Sequence, residues 1–197
     1  MRIQPSEFQA ADLRVHTLLH DVPLEDAWAI PLEGGGPGRS VQEARAAFVA
    51  GMAEAPAVVM GLVLLRRRLG ALFGWDRPRT EWAAETFAGR LSAADRAQSL
   101  AQPGTPDGRL SLLYRFPNEQ LSERRNGTVH AFSSFSIREV PGGYLAYLAV
   151  YVRSVHPFTR LYMALIRPFR RWIVYPAVIR QAQKAWASRY GAAATHG

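Results

Sequence analysis

The sequence predicts an α+β domain in which an antiparallel sheet packs against a long C-terminal helix, with additional helices in the N-terminal half. Three observations carry this. Strand-forming runs between Leu110 and Val155 are separated by the reversal signals Asn126-Gly127 and Pro141-Gly142-Gly143. Apolar residues recur at three-to-four-residue spacing from Val58 to Phe73. A second helical stripe starts at Pro157 and continues toward the C-terminus.

With 197 residues, 48% of them hydrophobic, the chain reads as one domain over 1–197, able to bury roughly 70% of its unfolded surface. Cysteine is absent, which excludes a disulfide framework, a thiolate metal site and a cysteine nucleophile, and fits a reducing cytoplasm. Residues 1–30 show no uninterrupted apolar core of a secretory signal, so the chain reads as cytoplasmic. The longest apolar run, Ala57 to Leu65, meets Arg66, Arg67 and Arg68, far short of the ~20 residues that span a bilayer. The formal charge of +8 is uneven: after Glu139 there are eight basic residues and no acidic one, while the other 16 basic residues are balanced by all 16 acidic ones. Any anionic partner is drawn to the C-terminal third.

Taken in order, Leu13 to Leu32 reads as a strand and an irregular segment, and Gly34-Gly35-Gly36-Pro37-Gly38 as a loop. These glycines lack the Gly-Lys-Ser/Thr ending of a phosphate loop. Ser40 and Glu43 have capping-box spacing, so a helix starts at about Val41. Pro56 breaks it, and the next helix buries one face, with Arg66 to Arg68 pointing around a solvated surface rather than forming a nucleic-acid patch; no nucleic acid is expected as a partner. A short helix is expected near Glu81 to Phe87 among loops. A strand over Leu110 to Phe116 then precedes a meander of Gln120 to Arg125, Thr128 to Val140 and Tyr144 to Val155. From Pro157, Phe158, Leu161, Tyr162, Leu165, Phe169, Trp172 and Ile173 form one stripe, with Arg160, Arg167, Arg170 and Arg171 off it. If this helix closes the fold, the stripe is buried and the arginines face water. Pro168 and Pro176 should kink the helix or divide it into segments. The tail after Tyr190 is expected to fray.

Turn positions set the register. A tight Asn126-Gly127 turn places Glu123 opposite His130, and a turn centred on Pro141-Gly142 places His130 opposite Arg153, Phe132 opposite Tyr151 and Ser136 opposite Tyr147. These residues share a face; the other face carries Phe135, Ile137, Ala146, Leu148 and Val150, a seat for a helix. Glu123, His130 and Arg153 are the candidate catalytic constellation: a carboxylate-flanked histidine as general base, and an arginine to hold an enolate or carboxylate. An ordinary cross-strand charge cluster is the plain alternative. His16, His20, His156 and His196 have no metal-ligand spacing, so no metal site is read. No Gly-x-Ser-x-Gly elbow and no dinucleotide glycine fingerprint occurs.

The segments HDVPLEDAWAIPL (20–32), LVLLRRRLGALFGWD (62–76), NGTVHAFSSFSI (126–137) and above all RLYMALIRPFRRWIV (160–174) resemble the family known as domain of unknown function 2867. The family pattern carries a histidine after the Pro-Phe pair, where this chain has Arg170. The family is similar to the START-like, or birch-pollen-allergen-like, helix-grip superfamily. That resemblance implies a curved sheet gripping the C-terminal helix over a cavity, lined here by Phe132, Phe135, Tyr147, Leu148, Tyr151, Tyr162, Met163 and Phe169. It implies binding of a hydrophobic or amphipathic small molecule without a cofactor. Two alternatives stay open: a cofactor-independent cyclase or isomerase acting on a polyketide-like substrate in the same cavity, and a peripheral protein making weak contact with an anionic membrane or other anionic partner through the basic C-terminal helix.

Overall fold

A computed structural model describes residues 1–72, 86–126, 129–154 and 158–191, with backbone alone for 63, 65–67, 69–72 and 158–162. Six strands, β1 (Leu24–Glu33), β2 (Pro106–Asp107), β3 (Leu110–Arg115), β4 (Glu119–Arg125), β5 (Val129–Val140) and β6 (Gly143–Ser154), form one curved antiparallel sheet in the order β1-β6-β5-β4-β3-β2. The helices are α1 (Pro5–Gln9), α2 (Arg14–Leu18), α3 (Val41–Ala53), α4 (Ala57–Leu72), α5 (Ala93–Gln98), α6 (Phe158–Phe169) and α7 (Tyr175–Tyr190). A 3-10 turn spans Phe87–Arg90, and a π-helical turn, Arg170–Val174, joins α6 to α7. The fold is the α+β arrangement read from the sequence, with a long C-terminal helix against the sheet.

Several local signals act as expected. The Glu43 carboxylate accepts from the Ser40 amide at 2.8 Å and completes the capping box that starts α3. Pro56 separates α3 from α4. The β5–β6 hairpin turns on Pro141 and Gly142, with Gly142 at φ 81°, the positive φ that the third position of a type II turn requires. Its register is the predicted one: His130 pairs with Arg153, Phe132 with Tyr151 and Ser136 with Tyr147.

Other elements differ. Residues 14–18, expected to begin a strand, form α2, and the strand starts at Leu24. α5, in a stretch read as loop, is capped by Ser92, whose hydroxyl accepts from the Asp95 amide at 3.0 Å. Residues 81–85 of the expected helix lie outside the described residues, and Phe87 opens the 3-10 turn. In the β4–β5 hairpin the ladder pairs Arg125 with His130 and Glu123 with Phe132, two residues from the expected register. The Asn126 side chain accepts from the Val129 amide at 3.0 Å, so asparagine acts at the first turn position and not at a central one. Gly127 lies outside the described residues.

The sheet is covered on both faces. Trp28, Ile30, Phe135, Ile137, Ala146 and Leu148 pack against α3 and α7. Ala27, Ala29, Leu121, Phe132, Tyr147 and Tyr151 pack against Phe8, Val15, Leu18 and Phe87 from the N-terminal helices and the 3-10 turn. Along the free edge of β1, residues 1–3 add backbone bonds, from the Ile3 amide to the Ala27 carbonyl (3.1 Å) and from the Ala29 amide to the Met1 carbonyl (2.8 Å).

The C-terminal helix corrects the sequence reading most. The segment that seats on the sheet is α7, through Ala177, Val178, Ile179, Ala182 and the fully buried Trp186, whose indole N–H donates to the Glu33 carbonyl at 3.1 Å. Small residues let the backbones approach closely. A Cβ on Gly51 of α3 would lie 2.4 Å from the Ala182 amide nitrogen. Of the expected stripe, Leu165, Phe169 and Trp172 instead face outward, at 67%, 46% and 80% exposed, while Ile173 packs against the core and the side chains of Phe158, Leu161 and Tyr162 lie outside the described residues. The arginines turn in. Arg170 and Arg171 both bind the Asp26 carboxylate, Arg171 at 2.7 Å through Nε, and the Arg171 guanidinium also donates to the Glu25 carbonyl at 3.0 Å. Asp26 is completely buried. Arg167 reaches the Glu25 carboxylate at 3.2 Å. The helix is divided into segments at the prolines, as expected, and the π turn falls between Pro168 and Pro176, each of which removes one amide from the ladder.

Two stability changes follow. Gly51→Ala should cost about 1–3 kcal/mol through overpacking, outweighing the gain alanine brings to an unhindered helix. Asp26→Asn should cost about 3 kcal/mol, because it leaves two largely buried guanidinium groups without their anion. Urea denaturation midpoints of the two variants against the parent chain provide the check.

Candidate functional site

Glu123 on β4, His130 on β5 and Arg153 on β6 come together at one end of the sheet, on the face covered by the N-terminal helices. Glu123 and His130 are diagonal neighbours and not directly opposed, and His130 Nε2 lies 2.8 Å from Glu123 Oε2. The contact survives the register shift because a shift of two residues leaves every side chain on the same face. Both side chains are buried. The carboxylate accepts two further bonds, from the Thr86 hydroxyl and from the Phe87 amide (3.2 Å), so it is held from three sides. With the carboxylate as acceptor, Nε2 is the donor, which in a neutral imidazole leaves the lone pair on Nδ1. The ring stacks on Phe132 with centroids 4.4 Å apart and meets the edge of Phe87 at 5.1 Å.

Above this pair opens a cleft of about 410 Å³ lined by Thr86, Phe87, Arg90, Arg125, His130, Arg153 and Ser154. Three arginines and a histidine line it, and such side chains suit carboxylate or phosphate groups. Arg90 is anchored by Asp21, whose carboxyl it holds down at about 2, chiefly through their hydrogen bonds, and its guanidinium lies 3.9 Å over the Phe87 ring. Thr86, Phe87, Arg90 and Arg125 were not singled out from the sequence. Thr86 and Phe87 fall at the end of the short helix expected near Glu81 to Phe87 and Arg90 in the loop after it, and only the fold brings them to the end of the sheet.

A second buried carboxylate, also missed, lies four residues along β4. Glu119 accepts the Arg14 amide on both oxygens, at 2.9 and 3.1 Å, and lines a cleft of about 470 Å³ with Asp12, Thr17 and Gln98. Burial pushes its pKa up to about 7. The neighbouring Tyr114 and Tyr151 hydroxyls are raised too, first by their own burial and then by this carboxylate. The signal for Glu119 was the alternation Glu119, Leu121, Glu123, which puts all three on one face.

The proposed cavity lining does not form one surface. Phe132, Tyr147 and Tyr151 belong to the core under the N-terminal helices, whereas Phe135 and Leu148 belong to the core under α7. Met163 is buried, Phe169 is exposed, and the Tyr162 side chain lies outside the described residues. Between α7 and the sheet the space is filled by Trp28, Phe48, Phe135, Leu148 and Trp186. Among the described residues no helix is long and apolar enough to cross a membrane, and no three His, Asp or Glu side chains converge as metal ligands do.

Comparison with known proteins gives one family: the family described as "Protein of unknown function (DUF2867)" matches residues 18–177. No curated protein matches the chain. Among solved structures, the chain is similar to the di-domain ARO/CYC StfQ from the steffimycin biosynthetic pathway, at 7% identity and a TM-score of 0.37, covering 89% of this chain and 55% of that one. The chain thus spans about half the length of that protein.

The buried Glu119 makes stability depend on pH in the less usual direction. Its folded-state pKa is raised from 4.5 to about 7, so the folded state binds a proton that the unfolded state has released. Stability is full below the unfolded pKa and falls as pH rises toward 7, by on the order of 3 kcal/mol if the whole shift is realised. Glu119→Gln should flatten that fall, which denaturation midpoints at pH 5 and pH 8 would show.

Proposed function

Because the chain belongs to the DUF2867 family, we propose that its function is read from its own cleft: it binds a small amphipathic anion over His130, at the open end of the sheet. The observation that carries this reading is the buried Glu123–His130 pair opening beneath Arg90, Arg125 and Arg153. A ligand carboxylate or enolate meets the guanidinium groups, and its apolar part meets the Phe87 ring. The reading keeps the small-molecule partner expected from the sequence and moves its site from beneath the C-terminal helix to the opposite face of the sheet.

The same pair favours a second, catalytic reading. Glu123 fixes the imidazole tautomer, so Nδ1 can accept a proton from carbon next to a carbonyl, and an arginine can hold the resulting enolate. That is proton-transfer chemistry of the isomerase or cyclase type on a polyketide-like or other carbonyl substrate. The chain's own side chains supply both the base and the electrophile, without a cofactor.

Native mass spectrometry of the purified protein tests binding. A co-purified small anion is expected, lost in Arg153→Glu and retained in Arg189→Glu; a ligand retained by Arg153→Glu overturns the site. For the catalytic reading, His130→Ala should lower turnover of the identified ligand by about 10²–10⁴-fold while changing its Kd by less than about tenfold. Turnover that survives this change removes His130 as the base.

A further inference from the structure

An amphipathic helix in a globular protein turns its apolar side to the core; three large apolar residues of α6 and the π turn do the reverse. Leu165, Phe169 and Trp172 follow one another at i, i+4 and i+7 and point into solvent, while Arg167, Arg170 and Arg171 on the other side are bound by Glu25 and Asp26 of β1. The inversion is built by ion pairs at a fully buried carboxylate. On the same side of the sheet, α4 exposes Val58, Met60 and Leu64, while its Val59 joins the core against which Ile173 and Val174 of the π turn pack.

The outward line does not end at Trp172. Continued in steps of four residues, each turning the row by about 40°, it reaches the exposed Arg180, Lys184 and Ser188, the last two lining a groove with Glu43 and Glu54 of α3. The outward surface of the C-terminal helix is therefore apolar in its first half and, as the row winds round, cationic in its second at Arg180 and Lys184, in a part of the chain that holds eight basic residues and no acidic one after Glu139. We propose that this side is a docking surface for an anionic lipid bilayer. Leu165, Phe169 and Trp172 enter the boundary between headgroups and acyl chains, and Arg180 and Lys184 meet lipid phosphates. The indole of Trp172, apolar with one N–H, suits that boundary. Apolar burial and surface charge together give the stable attachment that neither provides alone. A second protein surface rich in apolar groups would use the first half of the line and leave the cations without a partner.

The test is co-flotation of the full chain with vesicles of phosphatidylcholine, alone or with phosphatidylserine, at rising salt. The chain should float with the phosphatidylserine vesicles, and a fraction should remain bound when salt has screened the surface charge. Leu165→Ser/Phe169→Ser/Trp172→Ser should lose that salt-resistant fraction and weaken binding by at least about tenfold, with an unchanged melting temperature because these side chains are largely in water. Trp172→Ala, the least intrusive change, should lower binding in the same direction. Arg180→Ala/Lys184→Ala should weaken binding about tenfold at physiological salt and leave the salt-resistant fraction. Failure to float with either vesicle overturns the proposal, as does unaltered binding by the triple variant. Light scattering that shows a dimer dissolved by the same three changes, without vesicle binding, assigns the surface to a second copy of the chain and also overturns it.

Discussion

A carboxylate with no solvent contact must find cations, and Asp26 finds two. It sits on β1 next to a register shift in the β1–β6 ladder, and Arg170 and Arg171 close on it from the π turn. Transferring such a charge out of water is costly, so the clasp adds less by forming than its rupture would remove. Its larger effect is geometric. Fixing consecutive arginines against the sheet sets the rotation of the whole C-terminal helix, and that rotation lays the small residues of α7 onto the core and sends Leu165, Phe169 and Trp172 outward.

Elements governed by neighbouring residues were legible in the sequence. The Ser40–Glu43 box, the break at Pro56 and the Pro141-Gly142 turn each depend on chemistry within a few positions, and the last of these placed His130 beside Arg153. The Asn126 turn shows how far such reasoning carries. The side chain bonds its backbone two positions away from where a central turn residue would place the hairpin, yet the alternation that puts Glu123 and His130 on one face is unchanged. What could not be read was the sense of the C-terminal helix. Hydrophobic spacing identifies an apolar side but not what it meets, and the partners that decide it, Glu25 and Asp26, lie more than a hundred residues earlier. α7 gave a weak signal because its packing surface is made largely of alanine and valine. Glu119 was passed over for a similar reason: its burial comes from α2, near the other end of the chain.

Coverage of the sheet on both faces shapes the chemistry open to it. Antiparallel sheets often leave one face to water or to a ligand; here described residues pack on both faces, and the clefts around His130 and Glu119 open at opposite ends of β4. Each end presents a buried carboxylate, but with different company. Glu123 accepts from a hydroxyl, an amide and an imidazole beneath arginines. Glu119 has one backbone amide and two tyrosines around it, and holds its proton to near neutrality. One strand thus carries two buried carboxylates with different hydrogen-bond partners.

The sheet's two borders are managed unequally. At one, β2 is only two residues long and offers little to another strand. At the other, β1 runs for ten residues, and residues 1–3 occupy its outer amides and carbonyls near Ala27 and Ala29. Without them, β1 would present an unsatisfied backbone row to solvent, the template on which copies of a protein join edge to edge into insoluble ribbons. By occupying backbone groups at Ala27 and Ala29, these three residues shorten the row that β1 offers to a second strand, a protection that a sheet edge otherwise draws from charges, prolines or bulges.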